Sequence, residues 1–202
     1  MKNKMLARIK PYISWSQLTT IEAGDKAYVD SYFLKKKLES PALSFGSMVA
    51  DSLESGQATG DVETDLILAR LPKFELMDKE FRAVLRVEGA KIPLLSKIDS
   101  AKADLSAIIE FKTGATKWTQ AKVDSWGQIT FYCVVAELIG GQIPSDVRLI
   151  WAETEKTDNG IRLTGKIVEF KTKRSKTDIL KMKLRIFKAW ERIGKLTEDF
   201  YF

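Results

Sequence analysis

Hydrophobic positions along the chain recur with two different periods, and the changes of period divide it into elements. Through residues 14–39 apolar side chains return every three to four positions, the spacing of a helix with one buried face. Ser14 and Ser16 each offer an N-cap hydroxyl at its start, and Pro41 breaks the pattern. A second helix covers 44–53, and residues 55–61 carry the glycines, serine and aspartate of a loop. A short helix over 62–71 ends at Pro72. The period then falls to two. Phe81, Ala83, Leu85 and Val87 alternate with Glu80, Arg82, Val84 and Arg86, as in a strand with one buried face. Glu88-Gly89-Ala90 reads as a turn, 92–99 as a second strand, 100–104 as another turn and 105–112 as a third strand. These predict a meander of three short antiparallel strands.

Helical period resumes over 118–139 and stops at Gly140-Gly141. Its second half, 129–139, is apolar on nearly every side and so belongs in the interior. Strands are predicted over 147–154 and 161–170, joined by Asp158-Asn159-Gly160 as a hairpin turn. A last helix over 176–194 carries an apolar stripe of Ile179, Met182, Ile186, Trp190 and Ile193, which reads as core packing. Helices, three strands, helix, two strands, helix is the order of an α/β fold. The expectation is one domain over 1–202, with a central mixed β-sheet flanked by α-helices on both faces.

Composition narrows the chemistry. A chain of 202 residues, 45% hydrophobic and 30% charged, suits one soluble globular domain. No apolar run approaches membrane-spanning length, and the basic N-terminus lacks the core of a signal peptide. The expectation is an intracellular protein with no membrane partner. There is no histidine, which removes Ser-His-Asp and Cys-His catalysis and His-ligated zinc. The single cysteine, Cys133, excludes an intrachain disulfide, a cysteine-rich zinc site and a four-cysteine iron–sulfur cluster. It lies in an apolar stretch and reads as a small core residue. Any metal must therefore be held by oxygen ligands, which suits magnesium or manganese. Net charge is +6, yet residues 171–195 hold ten basic and two acidic side chains, leaving −2 for the rest. That segment either contacts a polyanion or forms a solvated helix face.

Candidate chemistry gathers in one stretch. Side chains alternate along a strand, so Glu110 and Lys112 share one face and Phe111 takes the other. Asp99 ends the preceding strand. In a simple pairing it lies near the start of the third strand, so sheet twist or a bulge is needed to bring it level with Glu110. Two carboxylates on one dication, with an ammonium beside them, match the needs of phosphodiester hydrolysis. The ion polarises the phosphate and acidifies its bound water, while lysine orients that water or stabilises developing charge. The Phe111 carbonyl is an additional candidate ligand. Glu-x-Lys is also the pattern of a solvent-facing ion pair. Here Ile108 and Ile109 precede it, at the end of a buried strand, where charges need a partner or a metal. Gln128 and Tyr132, four apart, stack on one helix face, with Asp124 one turn earlier. They form either a hydrogen-bonded core pair or a polar stripe reaching the metal. Asp51 and Glu54 lie three apart on the second helix, either of them able to complete the metal shell, or exposed.

These residues resemble the PD-(D/E)XK nuclease superfamily in its RecB-like exonuclease branch. The resemblance is carried by Ser96-Lys97-Ile98-Asp99, by Ile108-Ile109-Glu110-Phe111-Lys112-Thr113-Gly114, and by Gln128 to Tyr132 as the branch's Q-x-x-x-Y helix. Ser14-Trp15-Ser16-Gln17-Leu18 and the segment from Phe45-Gly46-Ser47-Met48 to Leu53-Glu54 match more weakly. The resemblance implies a restriction-endonuclease-like core, with Asp99 and Glu110 as metal ligands and Lys112 as the catalytic lysine. Gln128 and Tyr132 would support the site and contact DNA. The branch often has a metal-binding histidine where this chain has Ala50, and Glu54, one turn on, would supply an acidic ligand instead. The expected function is a DNA nuclease dependent on Mg2+ or Mn2+, exonuclease-like. The alternative is a nucleic-acid-binding module that kept the fold and lost the metal. The basic segment would follow the phosphate backbone, with Trp118 or Trp126 stacking on unpaired bases. Such a domain works alone, as a homo-oligomer, or with a partner helicase or recombination protein.

Overall fold

Five strands form one sheet in the order β1-β2-β3-β4-β5, in a computed structural model that describes residues 10–36, 40–158 and 160–201. The strands are β1 (Leu76–Val87), β2 (Ala90–Ala101), β3 (Ala107–Gly114), β4 (Asp146–Thr157) and β5 (Gly160–Thr172). Each overlaps a stretch predicted as a strand. The β1–β2 and β4–β5 hairpins pair antiparallel along their lengths. The expected meander continues only weakly into β3, because β2 and β3 pair at just two positions, Ser100 with Ile109 and Ala101 with Ile108. β3 instead pairs along its whole length with β4, in parallel. Parallel strands need a crossover, and the helices between β3 and β4 supply it. The sheet is mixed, as expected. Asn159, inside the predicted hairpin turn, lies outside the described residues, as do residues 37–39 at the end of the first predicted helix.

Two predicted helices are each broken. The stretch 14–39 divides into α1 (Trp15–Ala23) and α2 (Asp25–Tyr28), with a π-helical turn at Val29–Phe33. Ser14 is the N-cap and accepts from the Gln17 N–H at 3.4 Å. The break falls at Gly24, whose φ of 137° suits glycine and few other residues. The stretch 118–139 divides into α5 (Gln120–Asp124) and α6 (Gly127–Gly140), because Trp126 is extended at φ −70°, ψ 111°. Gly127 then starts α6 pressed against Trp15, where a Cβ would lie 2.4 Å from the indole ring. Pro41, expected to break a helix, occupies the first turn of α3 (Pro41–Ser55), where its missing N–H costs nothing. Helices α4 (Val62–Leu68) and α7 (Lys176–Tyr201) lie where the sequence puts them, and α7 runs seven residues further.

Helices cover both faces. One core joins Ile92, Leu94 and Ile108 of the sheet to Leu18 of α1, Phe131 and Val134 of α6, and Met182 and Ile186 of α7. A smaller core joins Ile109 and Ile150 to Val49 and Leu53 of α3 and Ile67 and Leu68 of α4. Ile108 and Ile109 therefore belong to opposite faces, which fixes the directions of the residues after them. Among the described residues no helix is long and apolar enough to cross a membrane.

Candidate active site

Alternation along β3 sends Glu110 and Lys112 to the side of Ile108, toward α6, and sends Phe111 and Thr113 to the side of Ile109, toward α3. β2 pairs with β3 only at Ser100 and Ala101, and Asp99, just before them, lies close enough to Glu110 for the two carboxylates to interact. Ile98 and Ala101, three apart on β2, both belong to the larger core, so the alternation of β2 is interrupted between them, next to Asp99. Past that point the two strands part. Asp99 fills the opening: its Oδ2 accepts the Phe111 N–H at 2.7 Å, in place of the strand carbonyl that pairing would have supplied.

Glu110 is 1% exposed. Its carboxylate pairs with the Lys112 ammonium and lies within hydrogen-bonding reach of the Tyr132 hydroxyl and the Asp99 carboxyl. A second carboxylate beside a buried one is costly unless more positive charge than Lys112 supplies is drawn to the pair. Burial, and then the negative charge of Glu110, holds the Asp99 carboxyl well above the usual carboxylate range, against the opposing Phe111 N–H and Lys112. Burial disfavours the Lys112 ammonium, but Glu110 and Asp99 together outweigh it and push its pKa up. Lys112 is a cation here, not a base.

On α6, Gln128 Nε2 donates to Tyr132 Oη at 2.6 Å, the pairing expected of an i, i+4 stack. Tyr132 is buried, and its hydroxyl is held well above the usual phenol range by burial first, then by the charges of Glu110 and Asp99. The structure thus brings Asp99, Glu110, Lys112, Tyr132 and Gln128 together. Asp124 does not join them. The helix break leaves it on α5, where its Oδ1 accepts from Thr172 at 2.7 Å and from Gln120 at 2.9 Å.

Opposite Asp99, α3 closes the site. Gly46, Val49, Ala50 and Leu53 line a cavity of about 60 Å³ with Asp99, Phe111 and Thr113, enough for a small number of water molecules. Glu54 is absent from this wall. It is exposed and pairs with Lys97 at 3.3 Å, so the expected acidic ligand from α3 is directed elsewhere. Asp51 is also exposed and lines a separate, serine-rich groove. Among the described residues no three His, Cys, Asp or Glu side chains gather closely enough to enclose a metal. The donors at hand are the Asp99 and Glu110 carboxylates and the Phe111 carbonyl. They fit a hard dication that keeps several waters, since magnesium is ordinarily bound by one or two carboxylates plus substrate phosphate. Such an ion would also offset the repulsion between the Asp99 and Glu110 carboxylates.

Two further expectations change. Trp118 is buried at 6% exposure, edge-on to Trp126 at 4.8 Å with Lys122 at 4.0 Å over its ring, and is not free to stack on a base. Three of the ten basic side chains in that segment pair with acidic groups on other helices: Arg185 with Glu22, Arg192 with Asp25 and Lys183 with Glu137. Sequence reasoning passed over Arg174, which is buried and donates to Thr130, Thr172 and the carbonyls of Val123, Trp126 and Lys173. It ties the end of β5 to the α5–α6 corner and so orients the helix that carries Gln128. Only its place in a charge run marked it.

Neither a family model nor a curated protein matches the chain. Solved structures do. A candidate exonuclease from Eubacterium rectale superposes with a TM-score of 0.57 at 17% identity, covering 94% of this chain and 82% of its own. The protein SSO0001 superposes with a TM-score of 0.53 at 13% identity, covering 89% and 76%. The chain has a restriction-endonuclease-like core. At these identities the likeness is one of fold.

Proposed function

We propose that the protein is a divalent-metal-dependent DNA nuclease of the PD-(D/E)XK kind, exonuclease-like. The observation that carries this reading is the buried Glu110 carboxylate held against a second buried carboxylate, Asp99, and beside the Lys112 ammonium. The exonuclease-like fold neighbour gives secondary support.

Asp99 and Glu110 would hold Mg2+ or Mn2+, with the Phe111 carbonyl as a further ligand. When bound, the ion supplies a polarised phosphate and an acidified water. The chain's own groups do the rest. Lys112, a cation at neutral pH, sits where it orients the attacking water or stabilises charge on the phosphate. Tyr132 keeps its proton and, with Gln128, forms the polar wall on the α6 side. The cavity under α3 leaves room at Ala50 for water or substrate oxygen in place of a side-chain ligand. That open position also favours a second reading, a nucleic-acid-binding module with feeble metal affinity.

End-labelled linear DNA and closed circular DNA, incubated with magnesium, manganese or EDTA, separate the two. The expected result is metal-dependent loss of the linear substrate, at least about 10²-fold slower in Lys112→Ala. Nicking of the circle would instead indicate an endonuclease. Salt-sensitive binding without cleavage in either metal would favour the binding module.

A further inference from the structure

The cavity between α3 and β3 is polar on one side only. Asp99, Phe111 and Thr113 face it from the sheet, while Gly46, Val49, Ala50 and Leu53 close it from α3 with no side chain able to hold a cation. Asp51 and Glu54, the carboxylates of α3, are both exposed, and Glu54 pairs with Lys97. At about 60 Å³ the space takes one or two oxygen atoms the size of water, and no base or sugar. The Thr113 hydroxyl borders the same space. Its Oγ1 lies 3.6 Å from where a Cβ on Gly46 would stand, and among the described residues no hydrogen bond engages it.

Electrostatics leave the same gap. Asp99 and Glu110 have the Lys112 ammonium beside them, so at most one net negative charge faces a dication in the free protein. An ion that gives up hydration for so little charge is held weakly.

We infer that a phosphate oxygen of the nucleic acid completes the site from within this cavity, accepting the Thr113 O–H and standing where α3 offers no ligand, so that metal ion and nucleic acid bind cooperatively. The inference rests on the nuclease reading of the site. The phosphate brings negative charge and a hard oxygen to the dication, and the dication offsets the repulsion that the two carboxylates exert on the phosphate. Each ligand then strengthens the binding of the other by the same factor. Thr113 is the group of this chain that couples them, since it touches the phosphate and not the ion.

Mn2+ binding to the full chain, read by electron paramagnetic resonance of the free ion, tests this. Lys112→Ala is the background of every arm, so that the DNA survives the titration. Each chain is measured alone and with a saturating short oligonucleotide, whose own Mn2+ uptake is subtracted, and circular dichroism melts are the folding control. The oligonucleotide should lower the Mn2+ dissociation constant at least about tenfold. Thr113→Val should leave Mn2+ binding to the free chain unchanged and remove most of that tightening. Ala50→Asp, which puts a carboxylate into the cavity, should tighten Mn2+ binding to the free chain and abolish the further effect of the oligonucleotide. Thr113→Val alone decides if Ala50→Asp does not fold. Equal Mn2+ affinity with and without the oligonucleotide would overturn the inference and leave the nuclease reading standing. A tightening that Thr113→Val does not diminish would overturn it in the same way. No Mn2+ uptake in either state would overturn both.

Discussion

Asp99 is where the site and the stability of the fold pull in opposite directions. Its carboxyl is driven well above the usual range by burial and by Glu110. A folded-state pKa raised above the unfolded value means the native protein holds the proton longer. The stabilising contribution is then full below the ordinary carboxyl pKa of 3.8 and is lost as pH rises through the folded value. At neutral pH the metal-free protein carries this cost. Asp99→Asn removes the charge while keeping an acceptor for the Phe111 N–H. We expect it to raise the melting temperature of the metal-free protein at pH 7 by about 3 °C and to have little effect near pH 3. It should also abolish metal-dependent cleavage. A destabilised Asp99→Asn protein at pH 7 would mean that the charge is already compensated. Glu54 offers the contrast. One helical turn from the wall of the site, it is spent on a surface pair with Lys97, worth little to stability.

At the scale of elements, the corner between α5 and α6 determines how the site is presented. Trp126 leaves helical geometry there, while its N–H donates to the Val123 carbonyl at 3.1 Å and its own carbonyl accepts from the Thr130 hydroxyl at 3.4 Å. Both carbonyls also accept from Arg174, that of Trp126 at 3.2 Å and that of Val123 at 2.9 Å. All the guanidinium nitrogens are engaged, an arrangement that lysine's single ammonium does not reproduce. Burial lowers the pKa of Arg174, yet its ordinary value is so high that the charge stays. Arg174→Ala removes five hydrogen bonds at this corner at once. A loss of about 2–4 kcal/mol in urea unfolding is expected, with Arg174→Lys recovering less than half. A loss within about 0.5 kcal/mol would mean that water replaces the guanidinium without penalty. Gly127 completes the corner, since no larger residue fits against Trp15.

Across the whole molecule, the helix α6 is the common support. Its residues from Ile129 to Ala136 are buried without interruption, between the sheet and α7. Cys133 sits at the centre of that run at 0% exposure, and burial pushes its thiol up to about 12. The thiolate that reacts with alkylating reagents is therefore both scarce and unreachable in the native protein. We expect Cys133 to be labelled at pH 8 only as fast as the whole domain unfolds, so that labelling and global unfolding give the same free energy. Faster labelling would reveal that α6 opens on its own. The thiol also gives the sign of the alkaline limb: its contribution to stability is full below about 9 and is lost as pH climbs toward 12. The basic α7 belongs to this scale as well, since Lys183, Arg185 and Arg192 fasten it to α6, α1 and α2.

Local periodicity by itself determined the strands, the shared face of Glu110 and Lys112, the i, i+4 stack of Gln128 and Tyr132, and the buried helix around Cys133. Each follows from backbone geometry over a few residues, and that geometry is the same in any fold. Where a helix breaks depended on partners far along the chain. The helix breaks at Trp126 because Arg174 donates to its carbonyl and Gly127 packs against Trp15, and neither partner is legible from the apolar run of 118–139. The strand register was likewise a tertiary matter. Asp99 meets Glu110 because β3 is drawn into parallel pairing with β4 while β2 parts from it, and that competition has no local signature. Charges were read least well. A side chain such as Glu54 or Arg185 takes whichever opposite charge packing brings within reach, and only the folded chain decides which one that is.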